Sequence, residues 1–214
     1  MHFDKIKNKG QAQLFQNELL ENLTKTHPVV IYALYLPVIG GMLYYGAAYK
    51  GLGVGWEVLM FVAGMLGWSL FEYIMHRKMF HMIVENPRAM KFVYTMHGVH
   101  HEFPRDKERL FMPPVPSIIV ASVLFALFHL CMGWSALAFF PGFLFGYLMY
   151  GSMHYAIHAF APPSWLKALW RNHHLHHYKY PEKGFGVSSV LWDVIFRTVP
   201  EKEVVAQKKT VNAA

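Results

Sequence analysis

Four blocks of apolar residues punctuate the chain: Val29 to Tyr49, Trp56 to Met75, Ser117 to Met132 and Ser135 to about Tyr155. The first holds no charge despite Pro37, and it matches the ~20 residues that cross about 30 Å of hydrocarbon. Lys50 with Gly51, Gly53 and Gly55 turns it into the second block, which carries Glu57 at one end and Glu72 at the other. Gly133 and Trp134 turn the third block into the fourth. The expected fold is all-α and integral to a membrane, with four transmembrane helices in two hairpins; the second pair is short, and tilt or partial insertion accommodates it.

The pattern predicts one domain over residues 1–214: an N-terminal segment (1–28), a first hairpin (29–75), a polar segment (76–116), a second hairpin (117–155) and a polar C-terminal segment (156–214). Residues Met1 to Thr26 show no signal-peptide pattern. Within them Leu14, Phe15, Leu19, Leu20 and Leu23 recur at helical spacing, which fits either a short helix on the membrane face or a frayed terminus.

Composition sharpens the class. The chain is 54% hydrophobic, 16% aromatic and 15% charged, more apolar than an ordinary soluble domain. A net charge of +7 raises the question of a nucleic-acid partner, but the charges flank apolar blocks instead of lining one polar face, so none is expected. Arg77, Lys78, Arg88, Lys91, Arg105, Lys107 and Arg109 crowd the 76–116 segment, whereas the two hairpin turns hold only Lys50. Positive loops stay cytoplasmic, so both termini and the 76–116 segment are expected on the cytoplasmic face. Cys131 is the only cysteine, which excludes an intramolecular disulfide and leaves nitrogen or oxygen as the ligands of any metal.

Histidine supplies the candidate chemistry. The stretch RNHHLHHYKYPEKGFGV from Arg171 packs four of 14 histidines into five residues. His97, His100 and His101 repeat the H-x-x-H-H spacing of His173, His176 and His177, and in each the adjacent pair diverges on a helix, so that neighbours serve different metals. His154 and His158, four apart, share a helical face. His76 and His81, five apart, do so only with a π-bulge or a helix end. Ten imidazoles on one membrane face are costly as core residues and suited to two metal ions. His174 is surplus to its cluster, His129 reads as a packed polar group within a span, and His2 and His27 as solvated.

The segments HRKMFH, HGVHHEFPRDKERLFMPPVP, HYAIH and HHLHHYKYPEKGFGVSSVLWDVIF resemble the fatty acid hydroxylase superfamily of membrane di-metal oxygenases, and within it the fatty acid 2-hydroxylases. The resemblance covers about Trp68 to Pro200. It implies one metal held by His76, His81, His97, His101 and His176, and a second held by His100, His154, His158, His173 and His177. It implies no catalytic residue beyond these ligands, a lipid acyl substrate, dioxygen, and two iron ions for activity, since zinc, which a purified sample is free to hold, has no redox chemistry. Related eukaryotic enzymes often carry a fused cytochrome b5 domain; Thr26-His27-Pro28-Val29 lacks the glycines of its haem motif, so electrons are expected from a separate protein of cytochrome b5 or ferredoxin type.

Four carboxylates, Glu72, Glu102, Asp106 and Asp193, are candidates to fix imidazole tautomers. Gly142, Gly146, Gly151 and Ser152 suit either sideways entry of a lipid tail or close helix packing. Pro113, Pro114 and Pro116 end the loop before the third block, and Trp165, Trp170, Tyr178 and Tyr180 read as interfacial aromatics. The expected location is a bacterial inner membrane, or the endoplasmic reticulum in a eukaryote. A carotenoid or sterol-type hydroxylase, an acyl desaturase and a membrane metal transporter are the rival readings.

Overall fold

In the computed structural model, residues 6–201 are described; the readings for His2 and for charges beyond residue 201 lie outside them. The described residues are helical without strands, and three stretches, Pro28–Lys50, Val54–Phe80 and Lys107–Ala159, are long and apolar enough to cross a membrane. The elements are α1 (Glu18–Asn22), α2 (Pro28–Lys50), α3 (Val54–Ile74), α4 (Pro87–Val93), α5 (Val99–Glu102), α6 (Pro114–Met132), α7 (Ala136–Ala159), α8 (Lys167–Tyr178) and α9 (Leu191–Ile195). The third apolar stretch breaks between α6 and α7 because Gly133 takes φ 56°, ψ −135°, a conformation closed to residues with a Cβ.

Helix α7 is the axis. Fourteen of its 24 residues are buried, whereas α6 buries only Ser117. Packed aromatic and aliphatic side chains explain this: Phe140, Phe143, Leu144, Tyr147 and Leu148 form one core with Ile31, Tyr35 and Ile39 of α2. Against α3 the backbones themselves touch. A Cβ on Gly64 would lie 2.0 Å from the Phe139 carbonyl oxygen, and one on Gly142 would lie 1.9 Å from that of Phe61. The glycine stripe therefore serves close packing: Gly146 faces Trp68 and Gly151 faces Phe111.

Above the spans, the 76–113 segment and α8 with its following loop form a cap. A strap of N-terminal chain crosses it, tied by Lys7 N to Glu102 O at 2.7 Å and Ala12 N to Asp106 at 3.1 Å. Arg109, its side chain 4% exposed, fastens the strap through Glu21, the Ala12 carbonyl and Asp106. Trp170 departs from the interfacial reading. It is 4% exposed and donates to the Phe160 carbonyl at 3.0 Å, locking α8 to the end of α7, while Trp165 remains exposed.

Candidate metal centre

Helix α3 does not stop at Ile74 but runs into a π-helical turn, Met75–Phe80, with His81 at its end. That wider turn swings a residue five positions on back toward His76, and the two rings lie 5.1 Å apart. A second π-turn, Tyr94–Gly98, carries His97 and leads directly into α5 with His100 and His101. His154 and His158 stand one turn apart at the end of α7, and α8 presents His173, His176 and His177.

These ten histidines form two groups. His76, His81, His97, His101 and His176 are one, and His100, His154, His158, His173 and His177 the other; in each, one ring nitrogen per residue lies within 4.8 Å of every other. Sequence neighbours split between them, His100 from His101 and His176 from His177, and the groups abut where His101 stacks on His177 at 4.2 Å. His174 is exposed and belongs to neither. His129 caps α6, its Nδ1 3.0 Å from the Gly133 carbonyl, and His27 caps α2 by accepting from Val29 N.

The nitrogen geometry fits a metal shell. Neighbouring Nε2 atoms approach to 3.0 Å for His76 and His97, 3.1 Å for His97 and His101, 2.8 Å for His100 and His154, and 2.9 Å for His158 and His173. Two imidazole nitrogens at about 2.1 Å from one ion, at right angles, are about 3.0 Å apart. The tautomers support the same reading. His76 donates Nδ1–H to the Phe185 carbonyl at 2.6 Å and His176 donates Nδ1–H to the Lys183 carbonyl at 2.8 Å, which leaves each Nε2 as a lone pair. Nε2 of His176 is buried with no hydrogen-bond partner among the described residues, as is that of His81. Lone pairs converging in a dry pocket repel unless a cation sits among them. Burial, reinforced by the adjacent imidazoles, also pushes His97, His100, His101, His173, His176 and His177 well below the usual histidine range, so all six are neutral and able to ligate at pH 7.

Residues 61–198, which contain all ten, match the Fatty acid hydroxylase family. The chain belongs to this family. It is 37% identical over 202 residues to a ceramide very long chain fatty acid hydroxylase of Saccharomyces cerevisiae, covering 92% of this chain and 52% of that protein. It is 36% identical over 198 residues to a dihydroceramide fatty acyl 2-hydroxylase of Arabidopsis thaliana, covering 92% of this chain and 83% of that one. A solved structure of full-length Scs7p, in which only the hydroxylase domain is visible, superimposes with a TM-score of 0.81 at 38% identity, over 90% of this chain and 74% of the other.

Within this fatty acid hydroxylase fold the four candidate carboxylates bind loop, strap and side-chain donors. Glu72 accepts from Val187 N at 2.7 Å, Ser188 N at 3.1 Å and the Ser188 hydroxyl. Asp193 accepts from Phe185 N at 3.0 Å, Gly186 N at 2.8 Å and the Thr198 hydroxyl at 2.7 Å. Both clamp the 183–188 loop, and that loop's carbonyls hold the imidazoles. Glu102 takes Lys7 and the Tyr94 hydroxyl, and Asp106 takes the strap and Arg109. Sequence reasoning missed the loop carbonyls because every backbone has them; GFGVSS, with its small residues, was the available sign.

Beside the histidines opens a cavity of about 420 Å³ lined by His76, His97, His100 and His154 at one end and by Leu124 and Phe140 at the other. Its long walls come from α3, α6 and α7, the cap and the N-terminal strap complete them, and they are mostly apolar. Water has few partners there, and an alkyl chain has many.

Proposed function

We propose that this protein hydroxylates a fatty acyl chain at carbon 2, free or amide-linked in a ceramide, using two iron ions, dioxygen and electrons delivered by another protein module. The observation that carries the proposal is the meeting of two five-histidine groups with the end of an apolar cavity, at the level where α3 and α7 leave the apolar stretches. The names of the fungal and plant relatives support the position of attack and the lipid class. The chain spans 52% of the length of the yeast relative.

Bound iron would supply the redox chemistry for activating dioxygen, which zinc lacks. The residues of the chain do the rest. His76 and His176 keep their Nδ1 protons on the carbonyls of Phe185 and Lys183, so their Nε2 lone pairs stay aimed inward. Trp68, Phe71, Leu144 and Tyr147 along the cavity hold the tail and exclude water, which orients one carbon toward the histidines. Four spans with the histidines on the cytoplasmic face complete the reading: α6 and α7 form the second hairpin, and the basic 76–116 segment follows the positive-inside bias.

Expression in a host lacking the activity, followed by mass spectrometry of hydrolysed lipids, tests this. The expected product is 2-hydroxy acid, abolished by His176→Ala. A hydroxyl at another carbon, a ring-hydroxylated carotenoid or a new double bond would replace the proposal with one of its rivals.

A further inference from the structure

We infer that the cavity is a ruler for the acyl tail, fixing the substrate as a long chain of about 16–18 carbons and ending at a floor made by Phe140, which Phe125 and Phe128 back from behind. This rests on the hydroxylation reading above and specifies its substrate.

The side chains that face the cavity fall into stripes. On α7 they are Phe140, Phe143, Leu144, Tyr147, Tyr150 and His154, a single stripe at helical spacing. On α6 the stripe is Pro116, Ser117, Val120, Ala121 and Leu124, preceded by Pro113, and on α3 it runs from Trp68 and Phe71 on into the π-turn at Met75 and Met79. Three helices therefore present one face each to the same void, which makes it a channel running along the helix axes. Its reach follows from α7. From His154 to Phe140 is 14 residues, or about 21 Å at 1.5 Å per residue. Both side chains tilt toward the start of the helix, so the separation holds at the level of the rings.

The floor is closed by ring packing. Phe140 lies 5.4 Å from Phe125 and 6.2 Å from Phe128, and Phe128 lies 5.2 Å from Phe143. Phe140 is 4% exposed. Nothing in this cluster is a flexible side chain able to swing aside, and rings interlocked this tightly resist insertion of extra methylenes.

A carbon–carbon bond of about 1.5 Å advances an extended chain by about 1.3 Å, so about 21 Å accommodates about 16 carbons. Attack at carbon 2 places carbons 1 and 2 at or above the histidines, giving a total near 18. Thr24 and Arg109 also line the cavity, beside Leu14 and Leu23, and offer polar groups to a carboxyl or amide head.

Chain-length profiles test the ruler. Membranes containing the full chain are supplied with an equimolar series of acids from medium to very long, and the 2-hydroxy products are resolved by length. The wild-type optimum is expected at about 16–18 carbons. Phe140→Ala lowers the floor and shifts it longer by about two to four carbons, from about 5 Å of ring removed at about 1.3 Å per carbon. Phe140→Leu, which keeps most of the packing, shifts it in the same direction by less. Ala121→Phe, which intrudes about one helical turn above the floor, shifts it shorter. Damage to the fold lowers all lengths together and does not produce opposite shifts. A flat wild-type profile, an optimum at very long chains, or variants that leave the optimum in place overturn the ruler; a wild type that makes no 2-hydroxy acid of any length overturns the hydroxylation reading itself.

Discussion

The Nδ1 proton of His76 goes to the Phe185 carbonyl at 2.6 Å, and the amide of that same residue goes to Asp193 at 3.0 Å. A carboxylate two links away thus sets an imidazole's orientation. Removing it with Asp193→Ala leaves two buried amides, of Phe185 and Gly186, without their acceptor, at a cost of about 1–3 kcal/mol each. The loop carbonyls then drift, and metal affinity at the His76 group is expected to fall about 10- to 100-fold, the usual effect of losing such support. The His100 group, whose histidines come from α5, α7 and α8, is expected to keep its affinity. Chelator competition followed by metal analysis reads the two steps separately; equal weakening of both would show that Asp193 acts on the fold as a whole. Glu72 and Asp193, two of the four acids the sequence nominates to fix imidazole tautomers, are buried at the site and spend their hydrogen bonds on the loop backbone and its hydroxyls. Acid and imidazole are each visible in a sequence, but the backbone groups between them acquire their positions only from folding.

Among elements, the π-turn at Met75–Phe80 was legible because five-residue spacing leaves few ways to bring His76 and His81 together. The central place of α7 was not. All four apolar blocks look alike in composition, and lipid tails and protein interior offer the same apolar surroundings, so hydropathy cannot tell an outer helix from an inner one. The glycines do carry that information, but they fit portal and packing equally until Phe61 and Phe139 are seen against them. Their role gives a direct expectation. Gly142→Val drives a side chain into the Phe61 carbonyl, which a Cβ would already meet at 1.9 Å. Overpacking costs about 1–3 kcal/mol even where side chains are able to yield, and here backbone must move. Thermal unfolding in detergent is expected well below wild type, and Gly41→Val, at a position with nothing within 4 Å, is expected to change little. Similar losses in both variants would argue against the tight α3–α7 contact.

For the molecule as a whole, the histidine clusters make stability depend on acidity even without metal. His97, His100, His101, His173, His176 and His177 have values pushed well below their unfolded ones, chiefly by burial. The unfolded chain therefore binds more protons than the folded one below about pH 6.5, and stability falls as pH falls through that point. Chelator-treated protein is expected to show a level melting temperature above pH 7 and a steep decline toward pH 5. A flat profile would mean the rings are solvated, against the burial described. The ten positions could be read from the sequence because each cluster is local; their division into two groups came with the family resemblance, since spacing alone says that neighbours diverge and not which distant partner each one meets.

Neither group is local in the order of synthesis. His76, His81, His97 and His101 are made before the second pair of apolar helices, and His176, which completes their set, is made after it. The other set likewise waits for His173 and His177. A ribosome must therefore release α8 before either five-histidine group is complete, so an ion that needs all five donors would be a late staple between segments made before and after α6 and α7.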